Sequence, residues 1–365
     1  MTAHVSRPKA LALALLAACA FATSASAQTP ITMSFDSVFF ADNGEFFSPF
    51  RTGETILGTW QRFNTDFEIS DKATLRLGLF AIERNGSEDR TELARPVAAL
   101  ILGTKRHRLI IGTLQTADRE HGIGPDRMTP HGMLPIFAVE TRWFERAYEA
   151  GVQWKTHTEH VTQDMWFDYQ KMITSEHREL FDGGFTGQLQ SSEQSPVALL
   201  YQFQVVHHGG QQFDVGPVSD SFGWGPGLLV RKRLPRSGLA SLEAYGLYSY
   251  DRPDRQIDAL TVRGRGGLLR AAVEKNDWRG HAIVWSGKDF KHEDGDPNYL
   301  SLSYDAETYR QQRQYFEMGL ARTFRPAPTV EFEASARAHF VQRKWGYSYR
   351  MMGTLHLGLW RSATK

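Results

Sequence analysis

The clearest pattern in the chain is a strict alternation of apolar and polar positions in the stretch "VEFEASARAHF", residues 330–340. The apolar and small side chains fall on one face, and the other face carries Glu331, Glu333, Ser335, Arg337 and His339. A period of two predicts a β-strand with one apolar and one polar face. The run has the length of a tilted strand that crosses a bilayer, and soluble strands average only about 5–6 residues.

The same alternation recurs along the chain, for example in "ATLRLGLFAIE" (73–83), "GVQWKTH" (151–157) and "LLYQFQV" (199–205). We count about sixteen such runs, joined alternately by short and long connections. The strand-like stretch "YLSLSYD" (299–305) is assigned to a long connection, because a further strand would make the number odd. The long connections are predicted at 41–54, 85–94, 117–149, 172–182, 208–221, 251–261, 287–313 and 342–346.

This organisation predicts an all-β fold: a single transmembrane antiparallel β-barrel of about 16 strands, with short periplasmic turns and long extracellular loops. No stretch approaches the ~18 consecutive apolar residues of a membrane-spanning helix. No repeat of fixed period and no Pro/Ser-rich linker divides the chain, so residues 28–365 are predicted to form one barrel domain.

The N-terminus has the layout of a secretory signal, with a basic start, an apolar run from Ala10 and the small-residue site Ala25-Ser26-Ala27. We expect residues 1–27 to be a cleaved signal peptide. The competing interpretation is a lipid anchor on Cys19, the only cysteine of the chain. A barrel is held in the membrane by its own apolar surface, which favours cleavage after Ala27.

Net charge excludes one class of partner. The formal charge is +1, and loss of Arg7 and Lys9 with the signal peptide would lower it to −1. A chain so close to neutrality is not predicted to bind nucleic acid.

The chain resembles bacterial outer-membrane porins and related channels in three features. These are a signal ending in an A-x-A site, alternating strands with short and long connections, and a strand in "MMGTLHLGLW" near the end. The resemblance is architectural and covers the whole mature chain. It implies a multi-pass β-barrel in the outer membrane of a Gram-negative bacterium. The implied partners are outer-membrane lipid, the barrel assembly machinery and, as in porins, two further copies in a homotrimer. The chain departs from the pattern because "RSATK" follows Trp360, which we interpret as a short periplasmic extension.

The connection 117–149 is the third long loop. The third loop of sixteen-stranded porins folds into the barrel, so the resemblance implies a constriction here. Charges of both signs across a narrow passage would filter solutes by charge and dipole. The alternative is a solvated surface loop. The expected constriction residues are Asp118, Arg119, Glu120, Asp126, Arg127, Glu140 and Arg142.

Strand phase predicts which polar side chains face the lumen, since an ionised group facing lipid near the midplane costs about 2–4 kcal/mol. Trp166 lies on the same strand face as Asp168, which makes it a candidate stacking platform for a sugar ring. For the aromatic residues as a group, an interfacial aromatic girdle is the simpler interpretation. The expected lumen-facing residues are Arg76, Lys155, Trp166, Asp168, Arg270, Glu331, Glu333, Arg337 and His339.

The sequence lacks the linear motifs that would indicate a catalytic or metal site. There is no H-E-x-x-H, no cysteine cluster and no G-x-S-x-G. The adjacent His207 and His208 must point to opposite faces if their strand continues. A rim pair of His121 with Asp118 or Asp126 is conceivable, but the spacing does not favour it. We therefore expect no catalytic residues, no metal and no cofactor, and a protein that is not an enzyme.

The leading functional prediction is a porin-like channel that passes polar solutes across the outer membrane by diffusion. The first alternative is an export or assembly barrel for a surface polysaccharide that works with periplasmic partners, because the glutamines on the polar faces suit a hydroxyl-rich glycan. The second alternative is a secreted, soluble β-rich binding protein.

Overall fold

The computed structural model describes residues 29–88, 92–116, 129–210 and 212–362. The expected signal peptide lies outside these residues. The described chain forms sixteen strands: β1 (Ile31–Glu45), β2 (Glu54–Ser70), β3 (Ala73–Arg84), β4 (Leu93–Gly103), β5 (His107–Thr113), β6 (Ala150–His157), β7 (Val161–Lys171), β8 (Leu180–Gln190), β9 (Val197–His208), β10 (Ser219–Leu234), β11 (Gly238–Arg252), β12 (Val262–Lys275), β13 (Trp278–Lys288), β14 (Gln312–Ala327), β15 (Val330–Val341) and β16 (Lys344–Arg361).

The strands form one closed antiparallel barrel. Each strand pairs with its neighbours in sequence, and β1 pairs with β16, where Thr32 lies opposite Arg361 and Glu45 lies opposite Tyr347. The predicted all-β fold of sixteen strands is confirmed. Within the described residues, no helix is both long and apolar enough to cross a membrane.

The side chains alternate between the two sides of the wall. On the outer side, Trp154 is 44%, Leu199 57% and Leu269 50% exposed in the isolated chain. On the inner side, Lys155, Gln202 and Arg270 are buried. An apolar outer surface over a closed backbone ladder is what a lipid bilayer requires. The alternative of a secreted soluble protein is therefore wrong.

Connections of different length emerge at the two ends of the barrel. The short-turn end carries connections 71–72, 104–106, 158–160, 191–196, 235–237, 276–277 and 328–329. The long-loop end carries 46–53, 85–92, 114–149, 172–179, 209–218, 253–261 and 289–311.

One connection at the long-loop end is shorter than predicted. Residues 342–343 form a two-residue turn in place of the expected longer connection 342–346. Both residues have positive φ, 51° at Gln342 and 64° at Arg343, as tight hairpin turns between twisted strands require. The stretch 299–305 lies in the long loop, as expected, with one isolated bridge between Leu302 and Tyr309.

Two long loops enter the barrel and fill part of the lumen. The first insertion is formed by residues 129–149 of the connection 114–149, which include the short helix α1 (Arg142–Glu145), and the second by the connection 289–311. Their apolar side chains pack against the inner wall with little or no exposed surface. One cluster joins Leu134, Ile136, Phe137, Phe290, Tyr299 and Leu300 to Trp166, Leu247 and Trp285 of the wall, and a second joins Trp143 and Phe144 to Phe40, Trp60 and Phe80.

Substitutions on the two faces of β15 test the assignment of inside and outside. Ala336 is exposed on the outer face, whereas Arg337 faces the lumen and bonds to Glu140. Replacing Ala336 with Arg should impair membrane assembly, because a charge facing lipid near the midplane costs about 2–4 kcal/mol. Replacing Arg337 with Ala should leave the barrel assembled. Heat-modifiable gel mobility of membrane extracts measures both, and normal assembly of Ala336→Arg would contradict the assignment.

Candidate functional site

Glu140 fixes the loop 114–149 to the barrel wall. Its carboxylate accepts a hydrogen bond from Arg337 at 2.6 Å and lies 3.1 Å from Arg350. Arg350 also donates to both carboxylate oxygens of Asp42, at 3.1 Å each. The ion pairs join the loop to β15, β16 and β1. Glu140 and Arg337, predicted separately from the sequence, are thus direct partners.

Arg142 ties together two loops and the wall. Its guanidinium is buried and donates to Asp182 of β8 and to Asp294 of the loop 289–311. Arg146 donates to the other oxygen of Asp294 at 2.7 Å. Burial alone would lower the pKa of Arg142, but the carboxylates of Asp294 and Asp182 outweigh it and raise the pKa. Arg142 therefore stays charged and holds the two loops in place.

His131 is the buried anchor at the other end of the same loop. Its Nε2 lies 2.7 Å from Glu149 and its Nδ1 lies 3.0 Å from Asp164. The imidazole stacks on Trp166, with 4.0 Å between ring centroids and an interplanar angle of 2°. The face of Trp166 that could have received a sugar ring is occupied by the protein's own histidine.

The other residues predicted to face the lumen have polar partners. Lys155 donates to the carbonyl of Gln115, and Asp168 accepts from the backbone of Ala150. The remaining contacts are Arg76 to Asp66, Arg270 to Glu243, Arg279 to Glu333, Arg325 to Glu331, and His339 to Ser348. A role in selectivity for any of them stays a prediction.

Five expected constriction residues lie outside the described residues: Asp118, Arg119, Glu120, Asp126 and Arg127. His121, considered as part of a rim pair, lies there too. Among the described residues, no group of three or more histidine, aspartate, glutamate or cysteine side chains could hold a metal ion.

A serine–histidine relay lies on the inner wall at the long-loop end. Ser348 Oγ is 2.8 Å from His339 Nε2, and His339 Nδ1 is 2.7 Å from the hydroxyl of Tyr315. Tyr315 donates to Glu317 at 2.5 Å. If Nδ1–H donates to the tyrosine oxygen, Nε2 is free to accept the serine proton, as a nucleophile–base pair needs. Sequence reasoning identified only His339, because its partners come from the two neighbouring strands, β14 and β16.

A histidine–carboxylate dyad lies on the outer wall at the same end. His207 of β9 is opposite Asp220 of β10, and its Nδ1 lies 2.8 Å from the carboxylate. Arg255 donates to both oxygens of Asp220, at 2.7 and 2.8 Å. The ring of Phe181 packs on His207 with 4.6 Å between centroids. His208 points to the opposite side of the wall and contacts Glu293, as the alternation of adjacent histidines predicts.

The dyad borders a cavity of about 260 Å³. Its lining includes His207, Glu179 and Arg255. Glu179 lies 3.8 Å from Nε2 of His207, beyond hydrogen-bond distance. With Nδ1–H donating to Asp220, Nε2 is left as a proton acceptor beside the cavity. This arrangement can act as a general base.

The closed barrel with an apolar outer wall defines a Gram-negative outer-membrane protein of the porin type. Similar solved structures include OccK8 (OprE) of Pseudomonas aeruginosa (TM-score 0.52, 11% identity, 90% of this chain and 98% of that one). Two further similar structures are the trimer form of OmpT from Vibrio cholerae and an anion-selective porin from Comamonas acidovorans, each with a TM-score of 0.53. Their sequence identities are 8% and 7%, and each match covers 90% of this chain and 99% of the other. At these identities the likeness shows the fold alone.

The chain belongs to the lipid A 3'-O-deacylase-type family, whose sequence model matches residues 23–357. No curated protein matches the chain significantly. The family is named for an enzyme, so the expectation that this protein is not an enzyme is wrong. That expectation depended on linear motifs, whereas side chains on different barrel strands can meet with no fixed spacing in sequence.

The attachment of the loop 114–149 should weaken at alkaline pH. Burial alone would lower the pKa of His131, but Glu149 and Asp164 raise it to about 9, above the ordinary value of 6.5. A raised pKa means that the protonated imidazole contributes stability that is complete below pH 6.5 and is lost as the pH rises through about 9. Amide exchange of residues 130–149, corrected for the intrinsic effect of pH, should therefore accelerate as the pH rises through that range.

A His131→Gln variant is the control for this prediction. Its exchange should already be fast at neutral pH and should show no corrected step in the alkaline range. A step of equal size in the variant would assign the transition to another group.

Proposed function

We propose that this protein is an outer-membrane esterase that hydrolyses an O-linked acyl chain of a lipid A-type glycolipid at the outer wall of the barrel. The observation that carries the proposal is the His207–Asp220 dyad on the lipid-facing side of the wall, in a chain of the lipid A 3'-O-deacylase-type family. The reaction consumes one water molecule and yields a free fatty acid and a hydroxyl on the glycolipid.

The position of the dyad suits a substrate that stays in the membrane. A lipid beside the barrel reaches the outer wall by lateral diffusion, whereas entry into the lumen would require passage through a closed ladder of backbone hydrogen bonds. His207 and Asp220 lie at the end of β9 and the start of β10, next to the long loops. With the long loops extracellular, as in outer-membrane barrels, this is the level of the outer-leaflet headgroups.

The chemistry follows from the partners of His207. Nε2 takes a proton from a water molecule whose oxygen attacks the ester carbonyl carbon, and the carbonyl π electrons move onto its oxygen. When the carbon–oxygen bond to the sugar breaks, the proton passes from the imidazolium to the leaving alkoxide. Asp220 holds the ring in the required tautomer and stabilises the imidazolium.

Arg255 has two roles in this proposal. It positions Asp220 through two hydrogen bonds, and Arg255 lines the same cavity as His207. A guanidinium has five N–H donors, so donors remain for the oxyanion of the tetrahedral intermediate. Stabilising that charge is a large part of catalysis in acyl transfer.

The Ser348–His339 relay is a second location for the same reaction, since it supplies a serine nucleophile. Two features favour the outer dyad over it. The relay lies inside the wall, and the ring of Phe46 packs on His339 with 5.0 Å between centroids. A bilayer lipid would have to leave the membrane to reach it.

Passage of polar solutes is the second candidate function, supported by the polar inner wall and the porin-type fold. The two inserted loops fill part of the lumen with packed apolar side chains, which favours low conductance. Export of a polysaccharide would need the same lumen to open with a periplasmic partner. A homotrimer stays a prediction from the porin resemblance.

Replacing His207 of the dyad should abolish hydrolysis of the acyl ester. Purified protein in detergent–lipid A micelles should release fatty acid, and His207→Gln should lower the rate by about 100-fold or more because the general base is lost. His208→Gln, one residue away on the inner face, is the matched control and should keep the wild-type rate. Gel mobility of both variants verifies folding.

A third variant separates the two locations. Ser348→Ala should retain the wild-type rate if the outer dyad is catalytic. Loss of activity in Ser348→Ala together with full activity in His207→Gln would place the reaction in the lumen. No fatty acid release by the folded wild-type protein would contradict the proposed function itself.

Planar-bilayer recordings test the channel candidate. The partly filled lumen predicts few openings and low conductance for the wild-type protein. Glu140→Gln removes the negative charge that holds the loop to Arg337 and Arg350, and should increase the frequency of openings. Steady, large conductance in the wild-type protein would favour the channel function.

A further inference from the structure

The outer wall carries a second cavity, on the face of β11–β14 at the long-loop end. Its volume is about 390 Å³. Five of its lining side chains lie on the lipid-facing side of the strand alternation: Tyr248, Arg265, Ser286, Lys288 and Gln312. The cavity shares no lining residue with the cavity beside the His207 dyad, and Leu247 of the inner cluster forms part of its floor.

Two cations form the polar part of this cavity. Arg265 lies opposite Lys288 in the β12–β13 register, and both side chains are exposed. Within the described residues neither makes an ion pair. Asp289, the acid next to Lys288 along the chain, has its carboxylate oxygens engaged by Tyr309 and Gln311. Two adjacent cations without a protein counter-ion attract an anion.

Aromatic residues mark the depth of the two cations in the membrane. Phe203, Trp224 and Tyr248 lie opposite one another on β9, β10 and β11, and Tyr248 lies opposite Arg265. Trp224 and Tyr248 stack, with 5.8 Å between centroids. Rows of Trp and Tyr on the outer wall occupy the interface between hydrocarbon and headgroups. Arg265 and Lys288 therefore lie at the level where lipid headgroups carry their charge.

A shallow groove continues from the cations toward the hydrocarbon. Gly246 lies opposite Gly267, and Gly267 lies opposite Ser286. A Cβ at Gly246 would meet no atom within 4 Å, and one at Gly267 only a backbone oxygen at 3.8 Å. After Gly267 and Ser286, the next residues of β12 and β13 that face outward are the exposed Leu269 and Val284. The groove is lined by small and apolar groups and is open to the bilayer.

We propose that this surface binds a phosphorylated glycolipid of the outer leaflet, with its phosphate on Arg265 and Lys288 and an acyl chain along the groove. The inference rests on the proposed function in one respect, namely that this lipid is the substrate of the esterase. The phosphate site on β12 and β13 lies three to four strands from His207 on β9, on the order of 15–20 Å along the wall. A disaccharide lipid with several acyl chains can span both sites.

A double variant tests the phosphate site. Wild-type protein and Arg265→Gln/Lys288→Gln are placed in phosphatidylcholine nanodiscs, and binding of lipid A is measured by fluorescence titration. The double variant should bind at least 10-fold more weakly. Wild-type protein should bind dephosphorylated lipid A as weakly as the variant binds intact lipid A, and millimolar inorganic phosphate should not displace the lipid.

A charge-matched control excludes a general electrostatic effect. Lys232 and Lys275 are exposed near the short-turn ends of β10 and β12, on the same outer wall. Lys232→Gln/Lys275→Gln should bind lipid A like the wild-type protein. Equal weakening in the control, unchanged binding in Arg265→Gln/Lys288→Gln, or displacement by inorganic phosphate would each overturn the inference.

Two readouts keep this inference separate from the proposed function. Binding is measured without hydrolysis, so a wild-type protein that binds phosphorylated lipid but releases no fatty acid would contradict only the esterase proposal. Conversely, an esterase whose lipid A binding does not depend on Arg265 and Lys288 would contradict only the phosphate site. Heat-modifiable gel mobility of Arg265→Gln/Lys288→Gln should match that of the wild-type protein, which verifies that the variant barrel is folded.

Discussion

Everything in this structure depends on the closure of the sheet by β1 and β16. Hydrocarbon offers no hydrogen-bond partners, so each backbone N–H and C=O of a membrane-spanning strand must find a partner in the neighbouring strand. Closure also divides the side chains into two populations, one facing lipid and one facing the interior. The same backbone ladder thus separates two surfaces on which different chemistry is possible.

The inner surface is occupied largely by the protein itself. Glu140, Arg142 and His131 hold residues 129–149 inside the barrel by buried ion pairs, and the apolar side chains between them pack against the wall. Charged groups near the rim of the outer surface cost only about 0–1 kcal/mol. A barrel whose lumen is partly filled can therefore still present reactive and cationic groups to lipid at its rim.

The strands were predictable because alternation is a local property of sequence. It places His207 and His208 on opposite faces without knowledge of the fold. The partners of His207 and His339 were not predictable, since Asp220, Tyr315 and Ser348 reach them through strand register. The rule that charged residues face the lumen also fails for Arg265 and Lys288, because that rule holds near the midplane and these residues lie at the rim.

The central claim, that the protein works on lipid at its outer wall, is tested most directly by blocking one surface at a time. Cys19 is the only native cysteine, so the variants Ser286→Cys in the outer groove and Thr52→Cys in the cavity between the long loops can each be labelled with a bulky maleimide. Mass spectrometry then measures loss of an acyl chain from reconstituted lipid A. The account predicts that labelling the Ser286→Cys variant stops deacylation and that labelling the Thr52→Cys variant does not; the reverse result would contradict it.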